Sequence, residues 1–287
     1  MVQLETKNKV IFDPKKRHNA ILLFDATDSN PNGDPDKLNM PRQDDIDNCG
    51  LVTGVSMKRK IRDYIDYLQS INNIPEETNQ ILVRKNAVIN TAIADTKKEL
   101  GKKSTETERG LAMQEKYIDL RLFGGVLSTG EKAGVWTGPF QISMMRSLHP
   151  VQVYETTITR CAVADGKEGK DNKTMGDVKL LRYGLYQGTV SYSPQVAHGV
   201  LEDDMKLFWE GLVNSWEFTK SACRTNVNWR GIWVFSHDHP LGNCNEVELV
   251  ERLSVKWDVE YPGKFSDFDV KLNDKGLPKG IVLTKLV

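Results

Sequence analysis

Two short runs constrain the fold more than anything else in the chain. Ala20–Ala26 (AILLFDA) and Gly231–Phe235 (GIWVF) are apolar at consecutive positions rather than at alternate ones. Successive strand side chains point to opposite faces of a sheet. A run that is apolar on both faces therefore belongs inside a sheet, so Gly231–Phe235 is expected in a central strand. Ala20–Ala26 is expected in a buried strand.

Two amphipathic helices accompany these runs. The first is expected to start near Thr53, a good N-cap residue. Met57, Ile61, Tyr64, Ile65 and Leu68 recur at helical spacing along it. The second covers Leu201–Trp216, with Leu201, Met205, Phe208, Trp209, Leu212 and Trp216 on one face. Glu202, Asp203 and Asp204 in its first turn complement the helix dipole. From Phe140 the pattern turns to strands, first around Phe140–Met144 and then at Tyr183–Tyr192. Leu253, Val255, Trp257, Val259 and Tyr261 alternate with polar residues and give the cleanest strand signal in the chain. The order strand, helix, strand, strand, helix, strand is the ferredoxin-like or RRM-like order, an α+β fold.

Insertions interrupt that order. Residues 71–136 hold a possible strand at Ile81–Ile89, a Lys-rich segment and a helix ending near Phe123. Gly124, Gly125, Gly130 and Gly134 then predict a flexible loop. Residues 160–182 have few apolar side chains to bury and read as an exposed loop or hairpin. Residues 1–18 read as a polar arm, with Lys15, Lys16 and Arg17 together. The 287 residues have room for one large domain with insertions or for two small ones.

Lys plus Arg and Asp plus Glu number 39 each, so a nucleic-acid binder would need its positive charge concentrated locally. Cys49, Cys161, Cys223 and Cys244 form no CxxC pair, which argues against a zinc or redox motif. No charged-then-apolar leader opens the chain and no apolar run spans a bilayer, so a reducing cytoplasm is the expected home.

Few motifs suggest catalysis. Asp28–Asp34 matches the first half of an EF-hand loop, but Asn39 stands where a bidentate Glu is needed. A tight turn ending the first strand explains the segment as well. Asp25, Asp28, Asp34, Asp36, Asp44, Asp45 and Asp47 crowd the same region without a histidine or lysine to complete an acid-base set. His237-Asp238-His239 lacks a third metal ligand at a recognisable spacing. The cluster Lys58-Arg59-Lys60-Arg62 is more informative, because a helix N-terminus flanked by cations favours phosphate. The competing reading is a solvated face with Arg59–Asp63 and Arg62–Asp66 ion pairs.

The run FDATDSNPNGDPDKLNMPRQD, followed by GLVTGVSMKRKIRDYI, resembles the start of the type I-C CRISPR Cascade backbone subunits, the "Cas seven" family. RLFGGVLSTGEKAGVWTGPFQISMMRSLHPV, ITRCAV, TMGDVKLLRYGLYQGTVS and LFWEGL follow in the family's order and span nearly the whole chain. The resemblance implies a single RRM-like palm over 1–287, a web or finger insertion at 71–136 and a thumb-like hairpin at 160–182. It implies a non-catalytic subunit that binds guide RNA (crRNA), stacks with further copies of itself and other Cascade subunits, and presents the guide to target DNA through an RNA–DNA heteroduplex. No membrane, metal or cofactor is implied. The implied RNA contacts are Ser56, Lys58, Arg59 and Arg62 on the first helix, and Asn30, Asn32 and Arg42 in the loop before it. Gly124, Gly125, Ser143, Arg146, Lys173 and Met175 complete the set. The chain departs from the family at Lys179–Arg182, where a Lys-His-x-x-Pro-like stretch is expected, and it lacks the aromatic signature of ordinary RRMs. Two alternatives remain: a type III-like subunit that cuts target RNA with Asp25, Asp28 or Asp34, and an assembly protein that binds no RNA.

Overall fold

Both consecutive apolar runs lie at the centre of one antiparallel sheet in the computed structural model, which describes residues 2–4, 6–159 and 175–287. The first part of the chain gives β1 (His18–Ser29), β2 (Gly33–Asp34), β3 (Met40–Pro41), β4 (Cys49–Val52) and α1 (Gly54–Ser70). An insertion follows, with α2 (Ile89–Leu100), α3 (Glu106–Lys116), α4 (Ile118–Phe123), β5 (Gly124–Leu127) and β6 (Gly134–Thr137). Then come β7 (Phe140–Ile142), β8 (Met145–Pro150), β9 (Val153–Thr159), β10 (Met175–Tyr192) and α5 (Glu202–Phe218). The chain closes with β11 (Val227–His237), α6 (Glu246–Val250), β12 (Leu253–Lys256), β13 (Asp269–Leu272) and β14 (Ile281–Lys285).

The main sheet runs β14-β11-β1-β10-β8-β4. Its inner order, β11-β1-β10-β8, interleaves the two strand-helix-strand units and is compatible with an RRM-like palm. Alternation along β1 explains its composition. Ala20, Leu22, Phe24 and Ala26 join Met57, Ile61 and Ile65 of α1 and Phe208, Trp209, Leu212 and Trp216 of α5 in one core. Ile21 and Leu23 face the other way, into a second core with Trp233, Phe235, Leu249, Leu253 and Phe268. The sheet face left open in ordinary RRMs is thus covered here by α6, β12 and β13.

β10 carries three successive partners along one edge: β7 at Val190–Tyr192, β8 at Tyr186–Gln187 and β9 at Met175–Leu181. Its pairing with β1 ends at Leu181, so Met175–Leu180 and β9 extend past the sheet as a two-stranded ribbon. Opposed residues share a face. Tyr154 opposes Leu180, Thr156 opposes Val178 and Ile158 opposes Gly176, which gives the ribbon one largely apolar face.

Several local expectations change. The 1–18 arm is docked: Leu4, Ile11 and Phe12 are buried in the main core, and Trp209 Nε1 donates to the Ile11 carbonyl at 3.1 Å. Ile81–Ile89 is not a strand; Ile81 and Leu82 are buried beside a single bridge from Gln80 to Tyr117. The glycine-rich segment is not a loop but the β5–β6 hairpin, packed on a small third core that includes Leu82, Ile93, Met113, Leu120 and Leu127. The alternating 253–261 segment is a strand only to Lys256 and pairs with β13 outside the main sheet. Beyond it Tyr261 is 65% exposed.

Candidate nucleic-acid interface

The start of α1 is fixed by side chains from the preceding loop. Asn32 Oδ1 accepts from the Thr53 backbone N–H at 3.0 Å and from its hydroxyl at 3.1 Å. The Thr53 hydroxyl in turn accepts from the Ser56 N–H at 3.1 Å, the expected N-cap. A Cβ on Gly54 would overlap the Ile142 carbonyl, so only glycine lets α1 start this close to β7. Asn30 is buried and donates to the carbonyls of Asn39, at 2.7 Å, and Lys179, at 3.4 Å. Arg42 lies 3.6 Å from Asp34. Asn30, Asn32 and Arg42 therefore shape the loop that presents α1.

The four cations of α1 have different surroundings. Arg59 is exposed and pairs with Asp63 at 2.6 Å, as the solvated-face reading expects. The Arg62–Asp66 pair of that reading is replaced: Arg62 is buried, donates to Asp119 of α4 at 2.8 Å and lies 5.0 Å over the Phe123 ring. Lys58 reaches Gln141 at 3.3 Å and also sits over Phe123. Burial, with Arg62 nearby, brings its ammonium down to about 8. Lys60 is buried beside Trp216 and donates to the Ser56 hydroxyl at 3.0 Å.

Arg59, Lys60 and Arg62 line one open cleft of about 720 Å³ together with Asn32, Ser56 and Arg224. Asp63, paired with Arg59, is the one carboxylate along its lining, and Asp119 behind the lining pairs with Arg62. Lys60 was part of the sequence cluster but not of the expected contact set. Arg224 was missed entirely: it arrives from the turn after α5, where the sequence SACRT carries no signal. Its guanidinium is held by two hydrogen bonds to the Thr219 carbonyl, at 2.9 and 2.7 Å.

The remaining expected contacts lie elsewhere. Gly124 has a φ of 69°, and a Cβ there would overlap the Trp136 carbonyl and the Gly138 nitrogen. Gly125 would bring a Cβ to 3.0 Å from Leu120. Close approach of backbone thus accounts for Gly124, whereas at Gly125 only the Leu120 side chain would have to give way. Ser143 accepts from the Thr189 N–H at 2.8 Å. Arg146 is exposed and bridges Asp44 at 2.7 Å and Asp47 at 2.9 Å. Met175 opens β10, and Lys173 lies outside the described residues.

Several acids of this region are engaged by cations and hydroxyls, although Asp25 Oδ1 is buried without a hydrogen-bond partner. Asp25 is buried, 2.8 Å from Arg230 and 3.2 Å from the Tyr183 hydroxyl. Asp28 accepts from the Tyr154 hydroxyl at 2.9 Å, and Asp45 pairs with Lys37 at 2.5 Å. Among the described residues, no three His, Cys, Asp or Glu side chains are grouped to hold a metal. His237 and His239 each accept from a backbone N–H within the turn that follows β11.

Residues 16–273 match the sequence family described as CRISPR-associated protein Cas7. The chain belongs to that family. A curated Cas7 protein of Haloferax volcanii is 24% identical over 229 residues, which cover 69% of this chain and 64% of the relative. The chain thus spans less than two thirds of that relative's length. A chain of a structure described as "CRISPR RNA-guided surveillance complex, pre-nicking" superposes with a TM-score of 0.45 at 11% identity, covering 76% of this chain and 78% of that one. A chain of "Type III-B Cmr-beta bound to cognate target RNA" gives 0.42 at 12% identity, over 76% of this chain and 61% of that one. The Cas7 match takes in β1, α1, the whole cleft and the insertion at α2–β6.

Proposed function

We propose that this Cas7-family chain is the non-catalytic, guide-RNA-binding backbone subunit of a type I-C CRISPR surveillance complex. Copies stack along the crRNA with other Cascade subunits in the cytoplasm and present the guide for pairing with target DNA. The observation that carries the reading is the cleft along α1. On a chain of zero net charge, Arg59, Lys60, Arg62 and Arg224 line it; Asp63 pairs with Arg59 and Asp119 with Arg62, which leaves Lys60 and Arg224 without a carboxylate partner among the described residues. Phosphate binding requires such a local excess. The order of the type I-C phrases along the sequence supports the subtype.

In this reading α1 and its capping loop hold the RNA backbone, the α2–β6 insertion is the web, and the β9–β10 ribbon is the base of the thumb. No helix among the described residues is long and apolar enough to cross a membrane. The engagement of Asp25 by Arg230 and Tyr183, and of Asp28 by Tyr154, supports a structural role for these acids.

Co-expression with the neighbouring subunits and a repeat-spacer array tests the proposal. The purified assembly should carry spacer-containing RNA protected from nuclease at regular intervals. Replacing 160–174 by a short Gly/Ser linker, which keeps β10 and the buried Leu181 in place, should leave the subunit folded but abolish the periodic protection. Asp28→Ala and Asp34→Ala should leave any cleavage by the assembly unchanged. An assembly free of RNA, or a selective loss of magnesium-dependent target-RNA cutting in Asp28→Ala, contradicts the reading.

A further inference from the structure

The buried cations of this chain are not all compensated alike. Arg62 and Arg121 each meet a buried carboxylate, Asp119 at 2.8 Å and Asp204 at 2.8 Å. Arg109 is held by the carbonyls of Ser104, Glu131 and Lys132. Lys60 is as deeply buried, at 6% exposure, yet among the described residues its ammonium forms no ion pair and meets only the Ser56 hydroxyl, at 3.0 Å. Its Nζ lies 4.9 Å over the Trp216 ring. Leaving a buried ammonium without an anion is costly, and such a group neutralises instead.

The groups around Lys60 reinforce this. Arg224, from the turn after α5, and Arg59, on α1, both oppose its charge; Asp63 favours it but is engaged by Arg59 at 2.6 Å. α5 presents the neutral Trp216. Burial first, and Arg224 second, bring the Lys60 ammonium down to about 7. Lys60 also lines the open cleft beside Ser56 and Arg224, so an anion in the cleft would reach the charge that the protein leaves uncompensated.

We propose that Lys60 is a proton-linked phosphate ligand, neutral in the empty cleft and an ammonium when an RNA phosphate is bound. The chain then takes up one proton from solvent at Lys60 Nζ as RNA binds. This rests on the reading of the cleft as an RNA groove. It adds that affinity falls as pH rises above neutrality, by about tenfold per pH unit for one linked proton. Because Lys58 also titrates near the same range, the comparison uses a Lys58→Arg background, in which that charge is constant.

Binding of a single-stranded RNA 12-mer is measured from pH 6 to 9 for the Lys58→Arg chain with and without Lys60→Met. Methionine keeps the packing on Trp216, so thermal stability should hold or rise. Affinity should drop and the pH slope should shrink by one proton. In parallel, the ¹³Cε resonance of Lys60 in lysine-labelled protein should titrate near neutrality when free and stay protonated to well above pH 9 with RNA bound. If RNA binds with the same slope in Lys60→Met, or leaves the Lys60 midpoint unmoved, Lys60 is only a packing residue and the inference falls while the RNA reading stands. If no 12-mer binds, the RNA reading falls, and inorganic pyrophosphate decides the subsite. A raised Lys60 midpoint with pyrophosphate keeps it; an unmoved one removes it.

Discussion

Replacing Asp119 by alanine perturbs the joint between α1 and the insertion, and its cost follows from the hydrogen bonds lost. Asp119 is 1% exposed. Its Oδ2 accepts from Arg62 Nε at 2.8 Å and from the Val83 N–H at 3.1 Å, and its Oδ1 accepts from the Leu82 N–H at 2.8 Å. Removing one partner of a buried ion pair costs about 3–5 kcal/mol, because the other charge stays buried. The Leu82 and Val83 amides lose the same acceptor, and water entering the gap takes its place. A total of about 4 kcal/mol is expected for Asp119→Ala. At about 2 °C per kcal/mol for a chain of this size, Tm falls by about 8 °C. Urea unfolding followed by tryptophan fluorescence measures it. Pairing Asp119→Leu with Arg62→Met, which removes both charges together, should cost less than Asp119→Leu alone. A loss below about 1 kcal/mol for Asp119→Ala, or additive costs in the Asp119→Leu and Arg62→Met cycle, refutes the assignment of Arg62 to this joint. The same logic makes Arg62→Glu a poor probe of RNA binding, since it sets two carboxylates together.

Two further perturbations probe other joints. Burial holds His18, bonded to Ser236 and the Asp13 carbonyl, down at about 4, against an ordinary 6.5. A lowered folded value means that the unfolded chain takes the proton first, so stability present above pH 6.5 is lost as pH falls toward 4. The loss amounts to roughly 3 kcal/mol, because each pH unit separating the folded and unfolded values is worth about 1.4 kcal/mol. His18→Gln should flatten that part of the profile, and an unchanged profile would show that His18 does not carry it. Gly124→Ala, at a φ of 69° with no room for a Cβ, should cost at least about 2 kcal/mol in urea unfolding; a cost under about 0.5 kcal/mol would contradict the packing described for β5.

Periodic signals were legible and tertiary ones were not. α1 and α5 were readable because their apolar residues recur on one face, and Thr53 marked the first start. β1 and β11 were readable because both faces are buried. The density of glycine over 124–134 suggests a flexible loop. Here Gly124 lets β5 press against the backbone of β6 and of Gly138. The 253–261 alternation exceeds the strand: the ladder with β13 ends at Lys256–Asp269, and Trp257, Val259 and Tyr261 beyond it are exposed. Ile81 and Leu82 show no period because the two neighbours enter different cores, Ile81 the main one and Leu82 the small third one. Within the site, the Lys58–Arg62 cluster was visible, but its division of labour was not. Arg62 finds Asp119 in a different element, and Arg224 reaches the cleft from the far end of α5. Neither separation leaves a pattern in the sequence.

The salt dependence of RNA affinity reports whether the cations of α1 hold phosphates. Each phosphate contact to a single strand contributes about 0.7 to the slope of log affinity against log salt. Lys58→Gln with Arg59→Gln removes two cations from the start of α1 without touching a buried ion pair. Weaker binding and a slope flattened by about 1.4 are expected, with an unchanged circular dichroism spectrum. Equal affinity and equal slope in a folded variant would contradict phosphate binding along α1.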